Sequence, residues 1–248
     1  MRNSLWSRHL SLGWLAVGLA VIALAAPAGA DARTRHKARK PAAAKTVAAP
    51  LPASPGQAGL VLATEPGLLP DMVLGNPDAP VTVIEYASAA CPHCAAWNRD
   101  TWPAFRDKYV TTGKIRYVFR ELLTSPAEYA LAGFLIGRCA VAKSKTPQDS
   151  RPYFSVVEAF FAGQEGYYKT GQMAPIGQEV TKRTGLSQMA QLDCVTDEKQ
   201  VDAFYKTMNA HATADKVHST PTFIVNGKTT EGHEMADLDA AIAAAAKP

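Results

Sequence analysis

Hydrophobic and polar residues alternate in two stretches of the chain that predict β-strands. Residues 81–86 are mostly β-branched or aromatic and follow a dense turn signal at residues 75–80. Residues 115–119 place an apolar side chain at every second position, which gives a strand one apolar face. Between them, residues 95–109 are compatible with a helix that Pro103 kinks or divides. The order of strand, helix and strand predicts a βαβ unit with a right-handed crossover.

Helical spacing of apolar residues then replaces the alternation. Ser125 is predicted to be the N-cap of a long helix, with Pro126 as its first residue and Glu128 completing a capping box. Further apolar stripes predict helices over about 151–163, 174–184 and 187–194, and then one that carries Val201, Phe204, Tyr205, Met208 and Ala212 on one face.

Strand signals return only near the C-terminus. Residues 222–225 have strand composition, and the Asn-Gly pair at residues 226–227 is a strong hairpin signal that turns the chain into residues 228–230. An Ala-rich helix is predicted over residues 235–246. The chain is therefore expected to have an α/β fold.

Composition and charge narrow the class of protein. The 248 residues are 47% hydrophobic and 19% charged, which argues against a fully disordered chain and allows a substantial core. The formal charge is +4, but residues 31–60 hold six basic side chains against Asp31, and residues 61–248 hold 18 Lys and Arg against 21 Asp and Glu. Because the basic excess belongs to the N-terminal part, a nucleic-acid-binding domain is not indicated.

The N-terminus has the pattern of an export signal. Arg2 and Arg8 precede an uncharged apolar run at residues 10–26, and small residues follow it. We predict a signal peptide over residues 1–30; the alternative is an uncleaved anchor, because the run is near the shortest length that spans a bilayer. Residues 31–60 are rich in Ala, Pro and basic residues and predict a disordered linker. Either interpretation predicts an exported, periplasmic protein.

Two cysteines separated by two residues, Cys91 and Cys94, stand at the predicted start of a helix. Unpaired N–H groups and the helix dipole stabilise a thiolate there, so Cys91 is predicted to attack and the more sheltered Cys94 to resolve. Pro92 occupies a position that needs no N–H group, and a partly protonated His93 would lower the pKa of Cys91 further. Stabilising the reduced form makes the disulfide a stronger oxidant. The alternatives are half of a zinc site or two buried structural thiols.

Glu85 is the candidate proton carrier. Alternation along the strand puts its side chain on the face of Val81 and Val83, six residues before Cys91. This position predicts a half-buried carboxylate beneath the active-site helix, where burial and a neighbouring thiolate both raise its pKa. Such a group suits proton exchange with Cys94. The alternative is a strand-end glutamate in solvent.

Two further cysteines, Cys139 and Cys194, lie 55 positions apart. The even number of cysteines in an exported chain favours a second disulfide, and the close spacing of Cys91 and Cys94 leaves Cys139 and Cys194 as its partners. We predict a structural bridge, with a regulatory or second redox pair as the alternative.

Other groups give weaker signals. His211, His218 and His233 do not have the spacing of metal ligands, so no metal site is expected. The chain also has no phosphate loop and no Gly-rich dinucleotide motif, and we expect no nucleotide or flavin cofactor.

The motifs together resemble those of the DsbA-like thiol:disulfide oxidoreductases of the thioredoxin superfamily, over about residues 70–246. The matching marks are the turn and strand at residues 75–86, the Cys-Pro-His-Cys motif, a helical insertion over about residues 123–213, and Ser-Thr-Pro-Thr-Phe at residues 219–223. The resemblance implies that residues 61–248 form a thioredoxin fold: a mixed central sheet flanked by helices, with an inserted all-helical subdomain.

The resemblance also assigns roles within the site. It implies that Cys91 is the nucleophile, that Cys94 resolves the mixed disulfide, and that Pro221 is cis and faces the two cysteines with Thr220 before it. The loop of this proline would dock the substrate chain by backbone hydrogen bonds. The family has an acid at the place of Glu85, and its oxidising branch has Pro-His between the cysteines.

The expected function is disulfide introduction into secreted or periplasmic proteins by exchange through a redox disulfide of Cys91 and Cys94. The expected partners are reduced secreted proteins and, from the resemblance alone, a membrane quinone-linked reoxidising protein of the DsbB type; no nucleic acid is expected. A disulfide isomerase or reductase of the same superfamily and a non-catalytic thioredoxin-fold chaperone are the alternatives.

Overall fold

The computed structural model describes residues 60–62 and 66–247. The predicted signal peptide and nearly all of the predicted linker lie outside these residues. Within them, no helix is both long enough and apolar enough to cross a membrane.

A six-stranded sheet forms the centre of the described part of the chain. Its strand order is β1-β2-β4-β3-β5-β6, in which β3 and β4 run parallel and the other neighbours run antiparallel. The two parallel strands lie in the middle, so both edges of β3 are hydrogen-bonded. The strands are β1 (Leu60–Leu62), β2 (Asp71–Gly75), β3 (Val81–Ala87), β4 (Ile115–Glu121), β5 (Thr222–Val225) and β6 (Lys228–Thr229).

Eight α-helices accompany the sheet in the described residues. Two of them, with a π-helical turn at Arg106–Val110, connect β3 to β4, and five connect β4 to β5. The helices are α1 (Pro92–Asp100), α2 (Trp102–Phe105), α3 (Ala127–Ala142), α4 (Arg151–Thr170), α5 (Ala174–Thr184), α6 (Gln188–Thr196), α7 (Glu198–Asp215) and α8 (Met235–Ala245).

This architecture confirms the predicted α/β fold with a helical insertion. The strands expected over residues 81–86 and 115–119 are β3 and β4, and the Asn-Gly pair joins β5 to β6. The predicted division near Pro103 is also present, because α1 ends before Thr101 and Pro103 lies in the first turn of α2. The insertion consists of helices α3 to α7.

The start of α3 differs from the prediction. The helix begins at Ala127 with Pro126 as its N-cap, and no side chain caps it. The predicted Ser125 N-cap, with Pro126 as the first helical residue and Glu128 closing a capping box, is therefore wrong by one position. The reason is the extended backbone of Pro126 (φ −77°, ψ 123°), which keeps this residue outside the helix.

Aromatic side chains fix α1 and α2 against the sheet. The ring of Trp97 lies 4.8 Å from that of Phe223 on β5, and the ring of Trp102 lies 4.8 Å from that of Tyr117 on β4. The indole N–H of Trp97 also donates to the carbonyl of His233 at 2.8 Å. Because all four rings are buried, the helix that carries the two close cysteines has a fixed position over β3 and its neighbours.

A buried ion pair and a disulfide hold the helical insertion in place. The guanidinium of Arg138 on α3 donates to both carboxylate oxygens of Glu121 on β4 at 2.8 Å, and Tyr153 of α4 donates to the same carboxylate at 3.0 Å. These bonds satisfy charges that would be costly if they were buried alone. Cys139 of α3 and Cys194 of α6 form a disulfide with a Cα–Cα distance of 6.0 Å.

Candidate active site

The cysteine pair lies where the chain leaves β3 and enters α1. Cys91 is the N-cap of α1 and has an extended backbone (φ −81°, ψ 120°). Its N–H group donates to the carbonyl of Ser88 at 3.0 Å, and its carbonyl accepts the first helical bond from Ala95 at 3.1 Å. Pro92 is the first helical residue, where an N–H group would have no intrahelical partner. Cys91 therefore stands at the positive end of the helix dipole.

The two thiols are buried and free, but their pKa values shift in opposite directions. The hydrogen bond from the Cys94 thiol is the main reason that the pKa of Cys91 is lowered to about 5; burial opposes this effect, and the Thr220 hydroxyl adds to it. Burial, together with the bond to Cys91, raises the pKa of Cys94 well above its usual value. At neutral pH the reduced pair therefore carries one negative charge, on Cys91.

His93 acts on Cys91 through its main chain. Its backbone N–H group is one of those that lower the pKa of Cys91, whereas its side chain is exposed. The sequence predicts an effect of the imidazole charge, but it is the main-chain N–H group of His93 that favours the Cys91 thiolate.

The loop before β5 faces the cysteine pair. The Thr220–Pro221 peptide bond is cis, and the protonated sulfur of Cys91 donates to the Thr220 carbonyl at 3.4 Å. The Oγ1 atom of Thr220 is buried and has no hydrogen-bond partner within the described residues. Ionised Cys91 supplies an acceptor for this hydroxyl, which is why Thr220 contributes to the lowered pKa.

Glu85 lies in the middle of the sheet and is only 2% exposed. It is thus more deeply buried than the half-buried side chain that the sequence predicts, and it is not the alternative strand-end glutamate in solvent. Burial raises its pKa to about 8; the hydroxyl of Tyr117, which donates to its carboxylate, opposes this rise, and the charge of Cys91 reinforces it. Glu85 in turn raises the pKa of Cys94, so the acid and the buried thiol are coupled.

The Glu85→Gln variant is expected to close mixed disulfides about a hundredfold more slowly above pH 8. Ionised Glu85, with a pKa of about 8, can accept the proton of Cys94, whereas an amide cannot. The measurement is the pH profile of Cys94 attack on a mixed disulfide between Cys91 and glutathione. Glu158→Gln is the matched control, because burial also raises the pKa of that acid but Glu158 belongs to α4. An unchanged pH profile in Glu85→Gln would show that Glu85 does not accept the proton of Cys94.

Cys139 and Cys194 are joined in a disulfide, and only Cys91 and Cys94 are free. Among the described residues, no three His, Cys, Asp or Glu side chains are grouped as they would be to hold a metal ion.

The sequence does not identify three residues of the site, which are Tyr117, Gln164 and Tyr168. Tyr117 belongs to the alternating apolar face of β4, so its sequence context predicts a core ring and gives no sign of the bond to Glu85. Gln164 and Tyr168 of α4 donate to main-chain carbonyls just before and at Cys91. No local motif marks these two, because the contacts join segments more than 70 residues apart.

A cysteine pair at a helix N-terminus, opposite a cis-proline loop on a mixed sheet, defines a thioredoxin-type dithiol protein. The chain belongs to the thioredoxin family: a family model described as Thioredoxin matches residues 68–244. Within the thioredoxin superfamily the chain is DsbA-like, as its similarity to α-DsbA1 of Wolbachia pipientis, described below, shows.

A candidate protein-disulfide oxidoreductase of Rickettsia bellii is 29% identical over 172 residues, which cover 69% of this chain and 63% of that protein. The aligned part therefore spans less than two thirds of that relative. The crystal structure of α-DsbA1 of Wolbachia pipientis has a TM-score of 0.59 and 25% identity, with coverage of 74% of this chain and 92% of that one. Oxidised BdbD of Bacillus subtilis, with a TM-score of 0.61, 20% identity and coverage of 76% and 98%, supports the fold.

Proposed function

We propose that this chain is a thiol:disulfide oxidoreductase that works as an oxidase, giving the Cys91–Cys94 disulfide to reduced cysteines of exported proteins. The observation that carries the proposal is the position of Cys91 at the N-terminus of α1, against the cis-proline loop, where the surrounding hydrogen-bond donors lower its pKa to about 5. A thiolate that is stable at neutral pH stabilises the reduced pair relative to the disulfide, so the disulfide is readily transferred. The name of the Rickettsia bellii relative agrees with this chemistry.

The exchange takes place in two steps. A substrate thiolate attacks the Cys91 sulfur, a mixed disulfide forms, and Cys94 leaves and takes a proton. A second substrate thiolate then attacks the substrate sulfur of that bond, and Cys91 leaves as a thiolate. The substrate loses two electrons and the cysteine pair gains them. One of the two substrate protons ends on Cys94, and the other goes to solvent.

Glu85 is the proposed donor of the proton that Cys94 takes. Below pH 8 its carboxyl group is protonated, because its pKa is about 8. The leaving Cys94 thiolate is a much stronger base than carboxylate, since burial raises the pKa of its thiol. Proton transfer from Glu85 to Cys94 is therefore downhill. In reoxidation, when Cys91 is bound in a mixed disulfide, Glu85 would take the proton back from Cys94.

Substrate contact is proposed for the loop of Thr220 and Pro221. The Thr220 carbonyl lies 3.4 Å from the Cys91 sulfur, and proline leaves no N–H group to compete for an acceptor there. An extended substrate segment can pair with this main chain next to the attacked sulfur. Export through residues 1–30 would bring the protein to reduced secreted substrates, and a quinone-linked membrane protein of the DsbB type would reoxidise it.

The equilibrium with glutathione tests the proposal. The fraction of the Cys91–Cys94 disulfide is measured in buffers of known reduced and oxidised glutathione, and the reduction potential follows. We expect a value toward that of DsbA, about −120 mV, rather than that of thioredoxin, about −270 mV. A value near the thioredoxin figure would make the protein a reductant and reject the oxidase.

A further inference from the structure

Helix α4 of the insertion contacts the main chain that leads into the cysteine pair. The Nε2 atom of Gln164 donates to the carbonyl of Ala89 at 2.7 Å and to the carbonyl of Cys91 at 3.2 Å. One helical turn later, the hydroxyl of Tyr168 donates to the carbonyl of Ala90. Two side chains of one helix therefore bind three consecutive carbonyl groups.

These carbonyls need partners because they are enclosed. Ala89 and Ala90 are fully buried and Gln164 is only 4% exposed, so loss of the carboxamide would leave a buried acceptor without its donor. The carbonyl of Cys91 accepts from both Gln164 and the N–H group of Ala95. The peptide plane between Cys91 and the first residue of α1 is thus held from the insertion and from the helix itself.

The orientation of that plane determines what surrounds the sulfur. The backbone N–H groups of His93 and Cys94 act on the Cys91 thiolate, and their direction relative to the sulfur depends on how α1 starts. A small rotation at the N-cap would move the sulfur away from these donors, and hydrogen bonds weaken steeply with poorer geometry.

We propose that Gln164, assisted by Tyr168, is a positioning residue for Cys91: it fixes the carbonyls of residues 89–91 so that the first turn of α1 presents its N–H groups to the sulfur. The inference rests on the proposed oxidase function. It implies that this function depends on the helical insertion as well as on the cysteine pair, because the insertion helps to set the reactivity of Cys91. Neither side chain touches the reacting atoms in this role.

The test replaces Gln164 by methionine, which has a similar length but no donor. We expect the pKa of Cys91, measured from the pH dependence of thiolate absorbance, to rise by about one unit. Alkylation of Cys91 at pH 5 should then slow about fivefold, because the thiolate fraction falls from about one half to one eleventh.

Gln191→Met is the matched control. Gln191 is also buried in the insertion and donates to three oxygens, those of Gly177, Thr181 and Leu186. Its loss should lower stability to a similar extent but leave the pKa of Cys91 unchanged. An equal change of that pKa in both variants would reduce Gln164 to an ordinary structural residue and overturn the proposal.

Tyr168→Phe covers the case in which Gln164→Met does not fold. Tyr168 is 44% exposed, so removal of its hydroxyl alone is compatible with folding. A smaller rise of the Cys91 pKa is expected in this variant, and no rise would contradict the proposal.

The oxidase function and the positioning role of Gln164 can be rejected separately. Wild-type protein that oxidises dithiols, with a Gln164→Met variant of unchanged pKa, rejects positioning only. If the Cys91 pKa rises in Gln164→Met but the wild-type protein oxidises no dithiol, only the oxidase function is rejected.

Discussion

Replacement of Cys91 by alanine is expected to reduce dithiol oxidation to the uncatalysed rate. Exchange requires a sulfur at this position to receive the substrate thiolate, and Cys94 cannot replace it because it is fully buried and its pKa is raised. The measurement is the oxidation of a peptide with two cysteines, with oxidised glutathione as the oxidant.

The Cys94→Ala variant is the matched control for this loss. It keeps the Cys91 sulfur but has no second thiol to displace a group bound there, so with oxidised glutathione alone it should accumulate a mixed disulfide at Cys91, which is detected by mass spectrometry. Full dithiol oxidation by Cys91→Ala would contradict the assignment of Cys91 as the nucleophile. A stable mixed disulfide in Cys94→Ala and none in Cys91→Ala would assign the two roles.

Sequence patterns predict the elements whose signals are local. The β-branched run of β3, the hairpin pair before β6 and the cysteine pair at a helix start each lie within a few residues, and all three are observed. The position of Glu85 in the core follows from alternation along β3, although the extent of its burial does not. Central strands are covered on both faces, and this depends on helices that lie far away in the chain.

The features that escaped prediction depend on distant contacts. β2 is a short strand whose pairing with β4 joins segments more than 40 residues apart, and its sequence has no alternation. The bond of Tyr117 to Glu85 requires the parallel register of β3 and β4, in which Val83 pairs with Tyr117. The contact of Gln164 requires the packing of α4 beside α1. Tertiary structure therefore supplies the environment that makes a local motif reactive.

The reduced protein is expected to gain stability relative to the oxidised protein as the pH rises from 5 to 9. The pKa of Cys91 is lowered from 9.0 to about 5 on folding, so the folded state releases the proton first. The stabilisation is complete above the unfolded pKa and is lost as the pH falls through the folded one. Between pH 5 and pH 7 the gain is about 2 kcal/mol, after allowance for screening by solvent.

The oxidised protein is the control for the titrating groups other than the two cysteines; the raised pKa of Cys94 destabilises the reduced protein only as the pH approaches 9.0, the usual pKa of a thiol. Burial is the largest cause of the raised pKa of Glu85 and acts in both forms, so both become less stable as the pH rises above 4.5 and this effect largely cancels in the difference. The cross-link between Cys91 and Cys94 contributes a term that does not depend on pH. Denaturant unfolding of both forms at a series of pH values yields the difference directly, and a flat difference from pH 5 to pH 9 would show that folding does not stabilise the thiolate. Because the same free energy sets the redox equilibrium, a flat result would also remove the physical basis for an oxidising disulfide.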